Sequence, residues 1–97
     1  MKNSYQFSAK CWEYSGKGAW IFVAVPKDFS AEIRNSFKIY EEGWGRLKCE
    51  AQIGISTWKT AIWFDSKKQV YLLPLKAEIR KLEKIVIDKI VCVKISI

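Results

Sequence analysis

"VPKDFSAEIRNSF", residues 25 to 37, returns in altered form as "LPLKAEIRKLEK", residues 73 to 84. Each copy begins with an apolar residue and proline and then reaches the same tetrapeptide, so Ala31, Glu32, Ile33 and Arg34 match Ala77, Glu78, Ile79 and Arg80. Self-similarity of this kind signals a duplicated supersecondary unit. The surroundings match in kind. "AWIFVAV" precedes Pro26 and "QVYLL" precedes Pro74, both rich in the β-branched and aromatic residues that suit a pleated surface. Proline removes a ladder donor and so ends each strand. Ile33 and Phe37 in the first copy, and Leu75, Ile79, Leu82 and Val86 in the second, recur at helical spacing. A short helix is therefore expected after each proline, with Ser30 capping the first.

Working outward, "YQFSAKCWEY" and "TWKTAIWF" read as strands, "SGKG" and "DSKK" as hairpin turns, and "LKCEAQIGI" and "IVCVKISI" as strands again. Each half then runs β-β-α-β, spanning about residues 5–55 and 56–97 of a single domain, with the seam near Gly54 to Thr57. The expected fold is mainly β: a closed, six-stranded barrel of the double-split type with two short helices, since closure hides strand edges. An open sandwich is the alternative. In "TWKTAIWF" alternation sets Trp58, Thr60, Ile62 and Phe64 on one face and Lys59, Ala61 and Trp63 on the other.

At 97 residues, with 49% apolar and 14% aromatic side chains, the chain has the material for one core. Its longest uninterrupted apolar run, residues 19 to 25, is too short to span a bilayer, and "MKNSYQFSAK" lacks the apolar stretch of a signal peptide. A cytoplasmic location without membrane association is expected. Cys11, Cys49 and Cys92 are far apart and odd in number, which suits buried, inert thiols and neither a disulfide framework nor a metal site. The absence of histidine removes the commonest general base, the Ser/His and Cys/His nucleophile pairs and most zinc sites. No cofactor is implied. The net charge of +7 is spread evenly, with eight basic and five acidic residues over positions 1–49 and nine and five over positions 50–97. Such a surface is ordinary for a soluble protein and also favours anionic partners.

Residues 43 to 80, "GWGRLKCEAQIGISTWKTAIWFDSKKQVYLLPLKAEIR", resemble a bacterial and archaeal domain family of unknown function. Its members carry Ile-Gly, then Trp-Lys-Thr, then Tyr-x-Leu-Pro and a short Arg-containing helix. The upstream "GKGAWIFVAVPKDFSAEI" fits the same pattern, so the resemblance covers nearly the whole chain. It implies a double-split β-barrel of the kind found in AbrB-like and MazE-like proteins, where two chains interlock to bind DNA, with both halves here in one chain. The family also occurs beside domains associated with bacteriocin protection. Family members often place glycine before the last strand and a Gly-Asp turn at its start, where this sequence has Lys84 and Ile87, followed by Asp88. The last connection is expected to differ, because glycine supplies positive φ that Lys and Ile adopt only at a cost.

Four basic residues are candidates for nucleic-acid or anion binding. Arg34 and Arg80 occupy equivalent places in the repeat, Lys76, Arg80 and Lys84 form an i, i+4 stripe, and Lys59 lies on the strand ahead of them. Against this, charged stripes are commonly plain solvent faces, and each arginine has nearby carboxylates to pair with, Glu32 and Glu78 among them. Trp44, Trp58 and Trp20 are candidate ligand contacts at a barrel mouth. Trp58 reads equally as core, and Trp44, framed by glycines in "EEGWGR", as a lid. Glu41 and Glu42 are neighbours in a loop and form no catalytic pair. The reading is a non-enzymatic binding module with nucleic acid or another protein as partner. The alternative is a small-molecule-binding barrel with aromatic residues at its mouth.

Overall fold

Period-two alternation turns Tyr5 and Phe7 of β1 (Ser4–Lys10) inward, and after Cys11 the chain resumes as the short β2 (Trp12–Glu13). β3 (Ile21–Ala24) leads into helix α1 (Lys27–Phe37), and two 3-10 turns, Lys38–Tyr40 and Gly43–Gly45, carry the chain to β4 (Arg46–Ile53). The second half repeats the order: β5 (Ser56–Asp65), β6 (Val70–Pro74), α2 (Ala77–Leu82) and β7 (Ile90–Ser96). The structure is a computed structural model; it describes residues 3–13 and 20–97, and at Trp44 the backbone alone. The expected "SGKG" turn lies outside the described residues, whereas "DSKK" does form a turn, over residues 66–69, with Asp65 Oδ1 accepting from the Lys67 and Lys68 amides.

All strands belong to one antiparallel sheet in the order β1-β7-β4-β5-β6-β3-β2. Corresponding strands of the two halves pair with each other, β3 with β6 and β4 with β7, as an approximate two-fold relation requires. Tyr5 lies opposite Ile95, Ile95 opposite Ala51, and Ala51 opposite Trp58, a row of buried side chains across four strands. Ala51, fully buried, is the small residue between the large side chains of Ile95 and Trp58.

The fold is mainly β with two helices, but it is not a closed six-stranded barrel. The sheet is a curled half-barrel of seven strands. The leading strand breaks at Cys11, whose N–H donates to Lys89 O at 2.9 Å and whose carbonyl accepts from Asp88 N–H at 2.9 Å. Those bonds go to the loop before β7, so the ladder that would close the ring is interrupted there.

Three further expectations are corrected. α1 starts at Lys27, with Pro26 at the cap; Ser30 lies inside the helix, fully buried, donating to Val25 O and accepting from Tyr71 N–H, each at 3.0 Å. The hydroxyl thus joins α1 to β6 where the β3 ladder ends. α2 stops at Leu82, so the apolar stripe reduces to buried Leu75 and Ile79, with Leu82 and Val86 exposed. Lys76 precedes that helix and Lys84 follows it, so the basic stripe contributes only Arg80 to the helix itself.

The replaced glycines have a local consequence. Glu83 caps α2, Ile85 N–H donates to Arg80 O at 2.8 Å and Lys84 N–H approaches Lys81 O at 3.4 Å, the bonding of a Schellman turn. Lys84 therefore sits where glycine is usual, and takes φ +54°. At the second position Asp88 adopts the left-handed conformation, φ +73°, in place of Ile87. Lys84→Gly is expected to stabilise the protein by about 0.5–1 kcal/mol, the relief of left-handed strain less the added freedom of the unfolded chain. The denaturation midpoint should rise, and an unchanged or lower midpoint would show that Lys84 carries no strain.

Candidate functional site

β5 is ten residues long and divides its edges between partners. It pairs with β4 from Ser56 to Trp63, but with β6 only from Trp63↔Leu72 to Asp65↔Val70. Past Leu72, β6 turns to β3, pairing Leu73 with Val23 and Pro74 with Phe22. β5 and β6 therefore part company, and a cleft of about 330 Å³ opens between them. Trp58, Lys59 and Thr60 line one wall; Pro74 to Ala77 and Arg80 line the other, with Trp20 and Ile21 at the end.

Five of the seven candidate residues, Trp20, Trp58, Lys59, Lys76 and Arg80, thus gather at one place. Trp58 is 8% exposed and belongs to the core, presenting one edge to the cleft; Trp20 is 57% exposed. Arg80 donates from Nε to Leu75 O at 3.0 Å, which leaves its terminal nitrogens directed by α2 and not by a carboxylate. Between described residues, the ion pairs are Arg34–Glu41, Arg46–Glu42 and Lys48–Glu42, and none includes Lys59, Lys76 or Arg80. Three cations thus line one aromatic-walled cleft with no acid among its described lining residues, although Lys59 also lies cross-strand from Glu50.

Sequence explains why the place equivalent to the Trp58 edge is filled in the first half. Four residues separate Pro26 from Ala31, whereas two separate Pro74 from Ala77. The extra stretch supplies Phe29, whose ring lies 5.5 Å from that of Tyr5, the residue at Trp58's place in the cross-strand row. Burial, and then the neighbouring Glu32 carboxylate, raise the Tyr5 hydroxyl above the usual tyrosine range. The second copy has no counterpart of Phe29, and Trp58 keeps an open edge.

Arg34 lies elsewhere. Its guanidinium stands 3.7 Å from the centre of the Phe64 ring and 3.5 Å from Glu41, whose carboxylate also accepts from the Tyr71 hydroxyl. Burial, and then that carboxylate, push the Tyr71 hydroxyl well above its ordinary range. Arg34 is thus held by Glu41, not by Glu32, and the symmetric pair of free arginines does not occur. Glu42 faces Arg46 at 2.5 Å and Lys48 at 3.4 Å; hydrogen bonds from Lys48, then Arg46, hold it below the usual carboxylate range. Glu41 and Glu42 diverge to different partners. Trp44 lies in the Gly43–Gly45 turn, its side chain outside the described residues.

Cys11 and Cys49 are buried but Cys92 is exposed, against the expectation for all three. Burial pushes the Cys49 thiol up to about 12. Among the described residues no group of three or more His, Cys, Asp or Glu side chains is placed to hold a metal ion, and no helix is long and apolar enough to cross a membrane. Sequence reasoning passed over Trp12, Phe22 and Trp63. Trp20, Phe22 and Ala24 alternate with buried Ile21, Val23 and Val25, a pattern that could have marked an aromatic outer face.

The order of elements and the strand pairing define a mainly β fold with a cationic cleft between β5 and β6. The chain belongs to the family described as a domain of unknown function (DUF1905), whose model matches residues 7–95. No curated protein matches it.

The two arginines differ in a measurable way. Arg34→Gln should cost about 1–2 kcal/mol through the lost Phe64 and Glu41 contacts, while Arg80→Gln should change stability by less than about 1 kcal/mol. Equal losses in a urea titration would contradict this division between a structural and an available arginine.

Proposed function

We propose that this protein is a non-enzymatic binding module whose ligand is nucleic acid, held at the cleft between β5 and β6. The observation that carries the proposal is the convergence of Lys59, Lys76 and Arg80, without ion-pair partners among the described residues, beside Trp20 and Trp58. Phosphate would meet the cations, and a base the exposed Trp20 ring. The net charge of +7 favours approach of a polyanion. A second reading, a small planar anion, is favoured by the cleft's volume of about 330 Å³, which falls within the range of small-ligand sites.

Intrinsic fluorescence of the five tryptophans, followed during titration with oligonucleotides at low and near-physiological salt, tests the proposal. Saturable binding is expected, with a log–log salt slope of about −2 for three phosphate contacts on a single strand. Lys76→Glu with Arg80→Glu should abolish it while circular dichroism stays unchanged. A mononucleotide that binds as tightly as an oligonucleotide would favour the second reading. Absence of binding at low salt would end the nucleic-acid reading.

A further inference from the structure

The outer face of β5, β6, β3 and β2 carries an aromatic cluster that the cleft does not account for. Trp12 lies opposite Phe22 in the β2–β3 ladder with ring centres 5.6 Å apart, and Phe22 in turn lies 6.0 Å from Trp20, their planes 13° apart. Trp63, 39% exposed, stands on the same side two strands away, beyond Leu72. These rings border a depression of about 720 Å³. Trp20 belongs both to this depression and to the cationic cleft, so the two form one continuous surface.

Cations stand at both ends of the run. At the Trp12 end Lys68 Nζ lies 4.5 Å from the indole centre, with Lys67 beside it; at the Trp20 end are Lys76 and Arg80. Of the two acids on the face, Glu13 and Asp65, Asp65 is engaged by the turn amides of Lys67 and Lys68. A row of ring faces flanked by positive charge complements a polyanion whose planar bases are free to stack. A duplex conceals those base faces within its own stack, whereas a single strand offers them.

We infer that the preferred ligand is single-stranded nucleic acid, with bases on Trp12, Trp20 and Trp63 and backbone phosphates following the lysines toward the Arg80 cleft. This rests on the nucleic-acid reading above and narrows it. Stacking is tolerant of base identity, so the binding has little sequence preference.

The test uses the full chain, an oligothymidylate, a duplex of equal length and an abasic strand with the same number of phosphates. Oligothymidylate should bind at least tenfold more tightly than either of the others. Trp63→Ala should weaken oligothymidylate binding by roughly 5- to 100-fold, the range of a lost base stack. It should leave the salt slope unchanged, and Trp63→Phe should restore most of the affinity. Circular dichroism and the urea midpoint confirm that each variant is folded, and Trp20→Ala supplies an independent variant at a more exposed ring. If the abasic strand binds as well as oligothymidylate and both tryptophan variants stay within twofold of the parent, the inference fails. If in that case Lys76→Glu with Arg80→Glu still removes binding, the broader reading stands. Should no oligonucleotide bind at low salt, both fall together.

Discussion

Every feature of this domain that bears on function follows from one backbone constraint: a long strand must find hydrogen-bond partners along both edges, and β5 is served by β4 along most of its length but by β6 only at its end. The edge at Trp58 to Thr60 is not met by β6, whose pairing with β5 stops at Leu72 and which ends at Pro74, a residue without an amide donor. The result is a split in the sheet, walled by side chains and not by a further strand. Strand edges of this kind are normally covered, and here α2 and the segment before it do so incompletely.

The same constraint acts on the first half, with a different outcome. There the leading strand breaks at Cys11, its backbone turned to the loop at Asp88 and Lys89, and the space beside Tyr5 is filled by Phe29. Two residues of extra chain after Pro26 thus convert an open cleft into packed core. The halves share an order of elements and differ in what they leave exposed beside Tyr5 and Trp58.

The duplication was legible because Ala-Glu-Ile-Arg survives in both copies beside a proline, and the strands were legible from their alternation. The breaks were less visible. Nothing in "SAKCWEY" announces that Cys11 interrupts pairing, because the interruption depends on amides from a distant loop. The helical spacing from Leu75 to Val86 suggested a longer α2, yet the chain turns at Lys84, a position where a lysine hides a left-handed conformation that glycine would have advertised. Ser30 looked like a cap since its hydroxyl does serve a backbone amide, although that amide belongs to Tyr71 on another strand. Of the site, Trp20, Trp58, Lys59, Lys76 and Arg80 were picked individually for charge or ring, and only folding shows that they meet. Arg34 was picked on symmetry, which the differing loops overrule: Glu41, remote in the repeat pattern, reaches it first.

Binding is proposed at the β5–β6 split and the aromatic face that adjoins it at Trp20, away from α1. The most direct measurement is an amide and indole chemical-shift map of the ¹⁵N-labelled protein on addition of a short single-stranded oligonucleotide. Shifts are expected to concentrate at Trp20, Lys59, Lys76, Ala77 and Arg80 and at the indole of Trp63, with the Lys27–Phe37 helix unmoved. Shifts centred on Arg34 and α1, or none at all, would contradict it.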